Sequence, residues 1–445
     1  MSPKLVKIVK RSLPWISHLV NDDNASEFNP YPRSLTRVDK TRICIICRGT
    51  RGLCGREKCP VLAKYFHLRK TLRIVRKEFI GSSPPEIFVG RLGYPKVFVG
   101  PLFHVENKDV TNYSMPETWD IDSIDEFLDM RLSLIRGMSR VDVRRPQKIG
   151  KLHEGLVDTV LSKRSSESYV EFKRIISRIT AGPYIQPIGL RGIINMFEIR
   201  PRGSLRELEY VYNEHDLRAM DAMVYLYRNG VPVSRIIQVL SAGMLGVMSQ
   251  RRLVPTRWSI TTVDCLISKW IRDEVIKYKP SINEYLVYEY YGLGDKFVVV
   301  MFPGSWRFEF IEIWWPGSSW NYFGDYVAIG GDYELHWGRK EYASIGGCYY
   351  ATRLAITEHL YKKSKKAGVI VIREAYPEHY IPIGVWYVRE SVRRALRTQP
   401  QKFGSFEEAI RYALAGLRID QNEVIKASKL IAYAKQQRSI LDYLH

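Results

Sequence analysis

A mixed α+β fold in two domains, headed by a four-cysteine knuckle and closed by a short peptide tail, is what the 445-residue sequence predicts. Three features carry that expectation. Four of the six cysteines crowd between Cys44 and Cys59. The stretch 76–280 reads as mixed and largely helical, whereas 281–434 is dense in Tyr, Trp and β-branched residues at strand spacing. The expected divisions are therefore a lead-in and knuckle over 1–75, a largely helical N-terminal domain over 76–280, a strand-rich α/β domain over 281–434 and a tail over 435–445. The boundary near 280 rests on the change of texture alone.

The knuckle reads Cys44-Ile-Ile-Cys47, a six-residue loop, then Cys54-Gly-Arg-Glu-Lys-Cys59. Two thiolates two residues apart can turn toward one ion, and a second pair after a short loop completes the tetrahedron that zinc prefers. Gly49, Gly52 and Gly55 provide the tight turns, and Arg42, Arg48, Arg51, Arg56 and Lys58 offset the negative charge of a tetrathiolate centre. Four protein ligands leave no open position, so the expected role is one structural zinc held by Cys44, Cys47, Cys54 and Cys59. Two disulfides are the competing reading; they belong to exported chains, and no export signal stands at the N-terminus.

After Pro60, a basic helix is expected over 61–79, followed by two short strands joined by the turn Gly90-Arg91-Leu92-Gly93-Tyr94-Pro95. Asp122 is expected to open a helix bearing Ile124, Phe127, Leu128, Leu132 and Ile135, with Gly137 as its stop. Between Val141 and Ile185 the pattern is weak. Apolar positions from Leu217 to Leu226 and a second run from Ser234 to about Gly243 predict two further helices. Strands are expected at Phe297–Met301, Trp306–Trp315, Tyr326–Ile329 and Val369–Ile372, with helices over Tyr349–Lys362 and Val385–Leu396. Ser405 with Glu408 and Asp420 with Glu423 have capping spacing for two last helices. Cys265 and Cys348 read as buried small hydrophobes.

Lys and Arg total 68 against 47 Asp and Glu, a net charge of +21. That excess favours a polyanionic partner, nucleic acid ahead of an anionic membrane, because no long amphipathic basic helix or apolar anchor stands out. A basic surface kept for solubility is the plainer explanation. No uncharged apolar run approaches the roughly 18 residues that span a bilayer, and a cytoplasmic location is expected.

At the C-terminus, Gln437, Ile440, Tyr443 and Leu444 reproduce the spacing of a sliding-clamp (PCNA) interaction motif, the PIP box. Wound into one tight turn, Ile440, Tyr443 and Leu444 form an apolar plug while Gln437 hydrogen-bonds at the rim. Leu444 stands where a second aromatic is usual. A helix end packed on the body would show the same pattern.

The knuckle from Cys44 to Pro60 resembles that of the archaeal Nre DNA-repair proteins, of the NreA type. So do Gly90–Pro95, Leu253–Thr261, Gly346–Leu354 and Gly384–Glu390. The resemblance spans nearly the whole chain. It implies a role in DNA damage repair, with a zinc knuckle and recruitment by the sliding clamp, and it brings no catalytic reaction that can be carried onto particular residues.

Two clusters invite chemistry. In Pro255-Thr256-Arg257-Trp258-Ser259, Arg257 could grip a phosphate and Trp258 could stack on a base; equally, Trp258 could be core and Arg257 a buried structural cation. Arg91 beside its Gly-rich turn, and Gly346 with Gly347 at a helix start, are further anion-binding candidates. The second cluster, Asp325, Asp332, Glu334, His336, Arg339 and Glu341, offers carboxylates for Mg²⁺, although alternating acids on a strand usually face solvent. The expected function is a DNA-repair protein that binds DNA through a basic surface and is recruited by the clamp. A DNA-processing enzyme on the same tail (a metal-dependent nuclease, or a nucleotide-linked or base-acting enzyme) and a basic RNA-associated protein are the rivals. Whether any reaction is catalysed, and by which residues, is left open.

Overall fold

The computed structural model of the protein describes residues 43–146 apart from 45 and 48, 150–177 and 186–436. The chain divides into two compact units, the first ending at Ile267 and the second beginning at Ser268. Helices and strands are mixed throughout, in agreement with the α+β expectation.

The first unit contains α1 (Pro60–Ile74), β1 (Glu78–Ser83), β2 (Ile87–Val89), β3 (Lys96–His104), α2 (Ile124–Leu132), β4 (Leu134–Asp142) and α3 (Lys151–Leu161). It continues through β5 (Ser166–Ile176), β6 (Arg191–Arg200), α4 (Arg206–Asn213), α5 (Ala219–Arg228) and α6 (Val233–Ser241). Helix α7 (Thr256–Trp270) carries the chain into the second unit.

Its six strands lie in the order β1-β5-β6-β4-β3-β2, and β1 also meets β3 at Ser82 and His104. Five strands thereby close into a ring, with β2 prolonging β1 along β3 through Ile87–Pro101 and Val89–Val99. All pairings are antiparallel except β4 with β6. Closure demands close backbone approach: a Cβ on Gly81 would stand 2.0 Å from the His104 carbonyl oxygen. The break between β1 and β2 falls at Pro84-Pro85, where no ladder donor exists. Buried Arg235 of α6 holds this bend, donating to the carbonyls of Pro85, Val160 and Ser162 at 3.0, 2.6 and 2.8 Å. Phe103, Phe172 and Phe197 meet edge-on inside the ring, and a Cβ on Gly155 of α3 would touch the Phe197 ring at 2.8 Å.

The middle of the chain is thus less helical than its composition suggests. Ser123 caps α2 as acceptor from the Glu126 amide, and the helix stops at Leu132. Ile135 and Gly137, read as the end of that helix, instead lie in β4, because Leu134, Ile135 and Arg136 pair with His104, Phe103 and Leu102. Such a pairing is non-local, and local periodicity does not reveal it.

The second unit contains β7 (Tyr285–Gly292), β8 (Asp295–Phe302), β9 (Arg307–Trp314), β10 (Ala328–Glu334), α8 (Gly347–Lys363), β11 (Gly368–Ala375), α9 (Val385–Ala395), β12 (Gln401–Phe403), α10 (Phe406–Ala415), α11 (Gln421–Ala427) and α12 (Lys429–Gln436). Its sheet runs β10-β9-β11-β8-β7-β12, with only β9 and β11 parallel. Helices cover both faces. Val298, Val300, Ile311, Ile313, Ile370 and Ile372 pack against Ile410, Leu414, Leu430 and Ile431 of α10 and α12. Each such aliphatic contributes roughly 1.5–3 kcal/mol on burial. On the other face Phe308 meets Tyr349 of α8, and Phe297 meets Tyr387 of α9. The expected cap at Ser405 forms with the Glu408 amide; Asp420 accepts from the amide of Asn422.

Acidic residues on these strands act as internal anchors. Glu309 accepts from the Ser428 hydroxyl and from the amides of Lys429 and Leu430 that open α12. Glu334 is fully buried between Arg272 at 3.2 Å and Arg353 at 2.8 Å, with the Trp306 indole N–H at 2.8 Å. Removing one member of a buried ionic set while leaving the others strands their charge, at a cost of about 3–5 kcal/mol. Glu334→Leu should therefore lower unfolding stability by about 3–5 kcal/mol in urea titration; an unchanged midpoint would contradict the anchoring role.

Candidate nucleic-acid interface

The turn between β2 and β3 and the start of α7 lie together in the first unit. The Val89 amide donates to the Thr256 hydroxyl at 3.0 Å, the Leu253 amide donates to the Val143 carbonyl, and the Val143 amide donates to the Pro95 carbonyl. Two segments distant in sequence, Gly90–Pro95 and Leu253–Ser259, are thereby stitched side by side. Tyr94 is buried against Trp258, with ring centroids 5.2 Å apart. Burial pushes the Tyr94 phenol up to about 12. Trp258 therefore supports the turn from below, so its packing role is met here.

Arg91 and Arg257, both exposed, are brought close enough that Arg257 disfavours the charge on Arg91. Partial burial and then the neighbouring Arg257 lower the Arg91 pKa. Neither makes an ion pair among the described residues. Around them stand Lys96, exposed at the start of β3, and Arg140, exposed on β4, whose guanidinium lies about 4.0 Å from where a Cβ on Gly93 would be. Gly93 itself adopts φ +81°, which the turn requires. Arg144 is held by Asp142 at 2.5 Å, the carboxylate of this surface. Unpaired cations gathered on one turn raise the local affinity for phosphate.

The structure thus joins three of the sequence candidates, Arg91, Arg257 and Trp258. Gly346 and Gly347 lie in the second unit, where Gly346 precedes α8 with φ +67°. The next residue, Cys348, hydrogen-bonds to buried Glu312, which is 2.7 Å from Arg373. Lys96, Arg140 and the neighbouring Phe98 were not singled out as a group. The signal was present in the alternation of Arg136, Arg140 and Asp142 with Ile135 and Val141, a period of two that straddles Gly137, the expected end of a helix.

The acidic cluster does not behave as an open metal site. Asp332 pairs with Arg339 at 2.8 Å and accepts from the Ser344 amide. Burial would raise the Glu334 pKa, but Arg353 and Arg272 outweigh it and hold it low. Two of the four carboxylates of the cluster, Asp332 and Glu334, are thus already neutralised by arginine. Contrary to the rule for alternating acids on strands, Glu334 faces inward.

At the N-terminal end, Cys44 and Cys47 are buried, Cys54 and Cys59 are half-exposed, and none of the four is in a disulfide among the described residues. Burial pushes the Cys44 thiol up to about 11, with further contributions from Cys59, Cys54 and Cys47, so the four sulfurs sense one another. Backbone amides of Leu53, Arg51, Gly49 and Gly52 lower the Cys47 pKa. Buried Lys64 is pushed down to about 8 by its burial. Among the described residues no three such side chains stand at metal-holding spacing. The donor chemistry nevertheless suits a soft divalent cation: four cysteine sulfurs, of which that of Cys47 is already served by backbone amides. Gln437, Ile440, Tyr443 and Leu444, the expected clamp-binding residues, lie outside the described residues. Among the described residues no helix is long and apolar enough to cross a membrane.

Comparison with known proteins divides the chain later than the boundary at Ile267 and Ser268. The family described as "Archaeal Nre, N-terminal" matches residues 53–321, and "Archaeal Nre, C-terminal" matches 334–443. The chain is 38% identical to DNA repair protein NreB of Archaeoglobus fulgidus, over 88% of this chain and 98% of the relative. It is 35% identical to DNA repair protein NreA of the same organism, over 85% and 94% of the two chains. Against DNA repair protein NreA of Haloferax volcanii the identity is 32%, over 79% and 86%. No solved structure matches.

Proposed function

The chain belongs to the archaeal Nre family, and on that premise we propose that it is a DNA-repair protein that binds DNA through the basic turn of its first unit and is recruited by the sliding clamp PCNA through Gln437, Ile440, Tyr443 and Leu444. The relatives carry the repair role in their names. The observation that supports DNA binding is the juxtaposition of Arg91 with Arg257, flanked by Lys96 and Arg140. Cations forced together against their mutual repulsion are stabilised by an anion that bridges them, and a phosphodiester backbone supplies anions in series. A clamp already encircling DNA would raise the local concentration of this surface, so a modest contact at each end suffices.

Cys44, Cys47, Cys54 and Cys59 would hold one zinc, whose chemistry is to neutralise and cross-link the thiolates of the knuckle. The Cys47 amide donors and the mutual repulsion felt at Cys44 support that reading.

Three measurements test the proposal. The double variant Arg91→Ala with Arg257→Ala should weaken DNA binding at least tenfold and flatten its dependence on salt by about two phosphate contacts; unchanged affinity would refute the assignment of the surface. Deleting 437–445 should abolish binding to PCNA while leaving the melting temperature in place, and equal binding by the truncated chain would dismiss the tail as the docking element. Elemental analysis of the purified protein should find one zinc per chain, lost in Cys54→Ser; a metal-free, folded wild type would remove the zinc.

A further inference from the structure

Connectivity gives the basic surface a more specific meaning. In the first unit, β1 with its continuation β2, then β3 and β4, form an antiparallel meander. Helix α3 follows, and β5 and β6 return as a hairpin inserted between β1 and β4. The last strand is parallel to the third, and the ring closes through β1 and β3. A bent first strand, a three-stranded meander, a helix between strands three and four, and a hairpin whose second strand runs parallel to the third together define the oligonucleotide/oligosaccharide-binding (OB) barrel. In such barrels the ligand lies across the outer face of the second and third strands, between the loop joining strands one and two and the loop joining strands four and five. Here those strands are β3 and β4, and the first of the loops is Gly90–Pro95.

A fold alone does not assign a ligand; the side chains of that face do. Along β3, Val97, Val99 and Phe103 are buried, while Lys96 and Phe98 face outward, Phe98 being 40% exposed. Ladder register sets Phe98 opposite Arg140 and Leu102 opposite Arg136. An exposed aromatic beside an unpaired arginine is the pairing that receives a base and its phosphate. Further along, Arg136 stacks on Phe88 at 3.6 Å, and its buried Nε meets no acceptor among the described residues. Arg131 and Arg191 crowd it, and the one carboxylate there, Glu86, already accepts both nitrogens of Arg131 at 2.8 and 2.9 Å. The face therefore carries three exposed cations, Arg257, Arg91 and Arg140, interleaved with Phe98 and the fully projecting Leu92, 85% exposed.

We infer that the β3–β4 face of this barrel, from the Gly90–Pro95 turn to Arg136, is a groove for single-stranded DNA, with a base stacked on Phe98 and phosphates on Arg91, Arg140 and Arg257. This rests on the DNA-binding reading above and narrows it to unpaired strands. Duplex DNA hides the base faces that Phe98 would stack on; a single strand exposes them.

Fluorescence anisotropy of the full chain against a labelled oligothymidine and a hairpin duplex of equal charge tests the inference. The single strand should bind at least tenfold tighter than the duplex. Phe98→Ala should weaken it about tenfold with Phe98→Tyr restoring it, and Arg140→Gln should weaken it and lower the salt slope by about one single-strand contact. Equal or tighter duplex binding, insensitive to Phe98→Ala, would overturn the single-strand assignment and leave DNA binding standing. Tighter binding of single-stranded RNA of matching sequence would overturn the choice of DNA. Absence of binding to either DNA at low salt would overturn this inference and the parent proposal together. Phe98 is partly exposed, so the melting temperature of Phe98→Ala should match wild type; should it fall, Phe98→Tyr and Arg140→Gln decide.

Discussion

The bend between β1 and β2 is the constraint on which the first unit depends. At Pro84-Pro85 the strand breaks its ladder, and the Arg235 guanidinium, buried without a carboxylate, gathers three carbonyls around the break. Burial lowers its pKa to about 10, and charge-assisted bonds to three dipoles offset the desolvation. Because the strand bends there, its first half pairs with β5 and its second half follows β3, so the sheet closes on itself. Gly81 lets the seam form where any side chain would strike the His104 carbonyl. The Gly90–Pro95 turn is then thrown outward at the rim, against the start of α7.

Charge is managed differently in the two units. In the second, buried acids meet buried bases in closed sets: Glu334 with Arg272 and Arg353, and Asp295 and Glu312 with Arg373. Those charges are paired within the unit and fix strand and helix positions. In the first unit, the exposed Arg91, Arg140 and Arg257 form no ion pair among the described residues. An internal ion pair holds a fold together, whereas an unanswered cation on a rigid strand is available to a partner. The excess of positive charge is therefore informative by where it is left uncompensated more than by its total.

Much of the second unit was legible in the sequence. Phe297–Met301 lies inside β8 and Val369–Ile372 inside β11, because apolar runs in a sheet covered on both faces announce themselves. Ser405 caps its helix as its spacing with Glu408 implied. The barrel was not legible. Its strands alternate Arg, Glu and Ser with hydrophobes, β1 and β2 are short and split by prolines, and ring closure is made by partners 22 residues apart at Ser82 and His104. Arg91 and Arg257 could be named one by one from their motifs, but their proximity depends on the Val89–Thr256 bond across 167 residues. Asp332 and Glu334 looked like metal ligands for the converse reason, since nothing local shows that Arg339, Arg272 and Arg353 reach them.

Photo-crosslinking of a thymidine-rich single strand to the full-length protein, followed by peptide mapping, tests the central claim most directly. The account predicts cross-links in peptides covering Arg91–Phe98 and Arg136–Arg140. Cross-links confined to peptides of the second unit would contradict it.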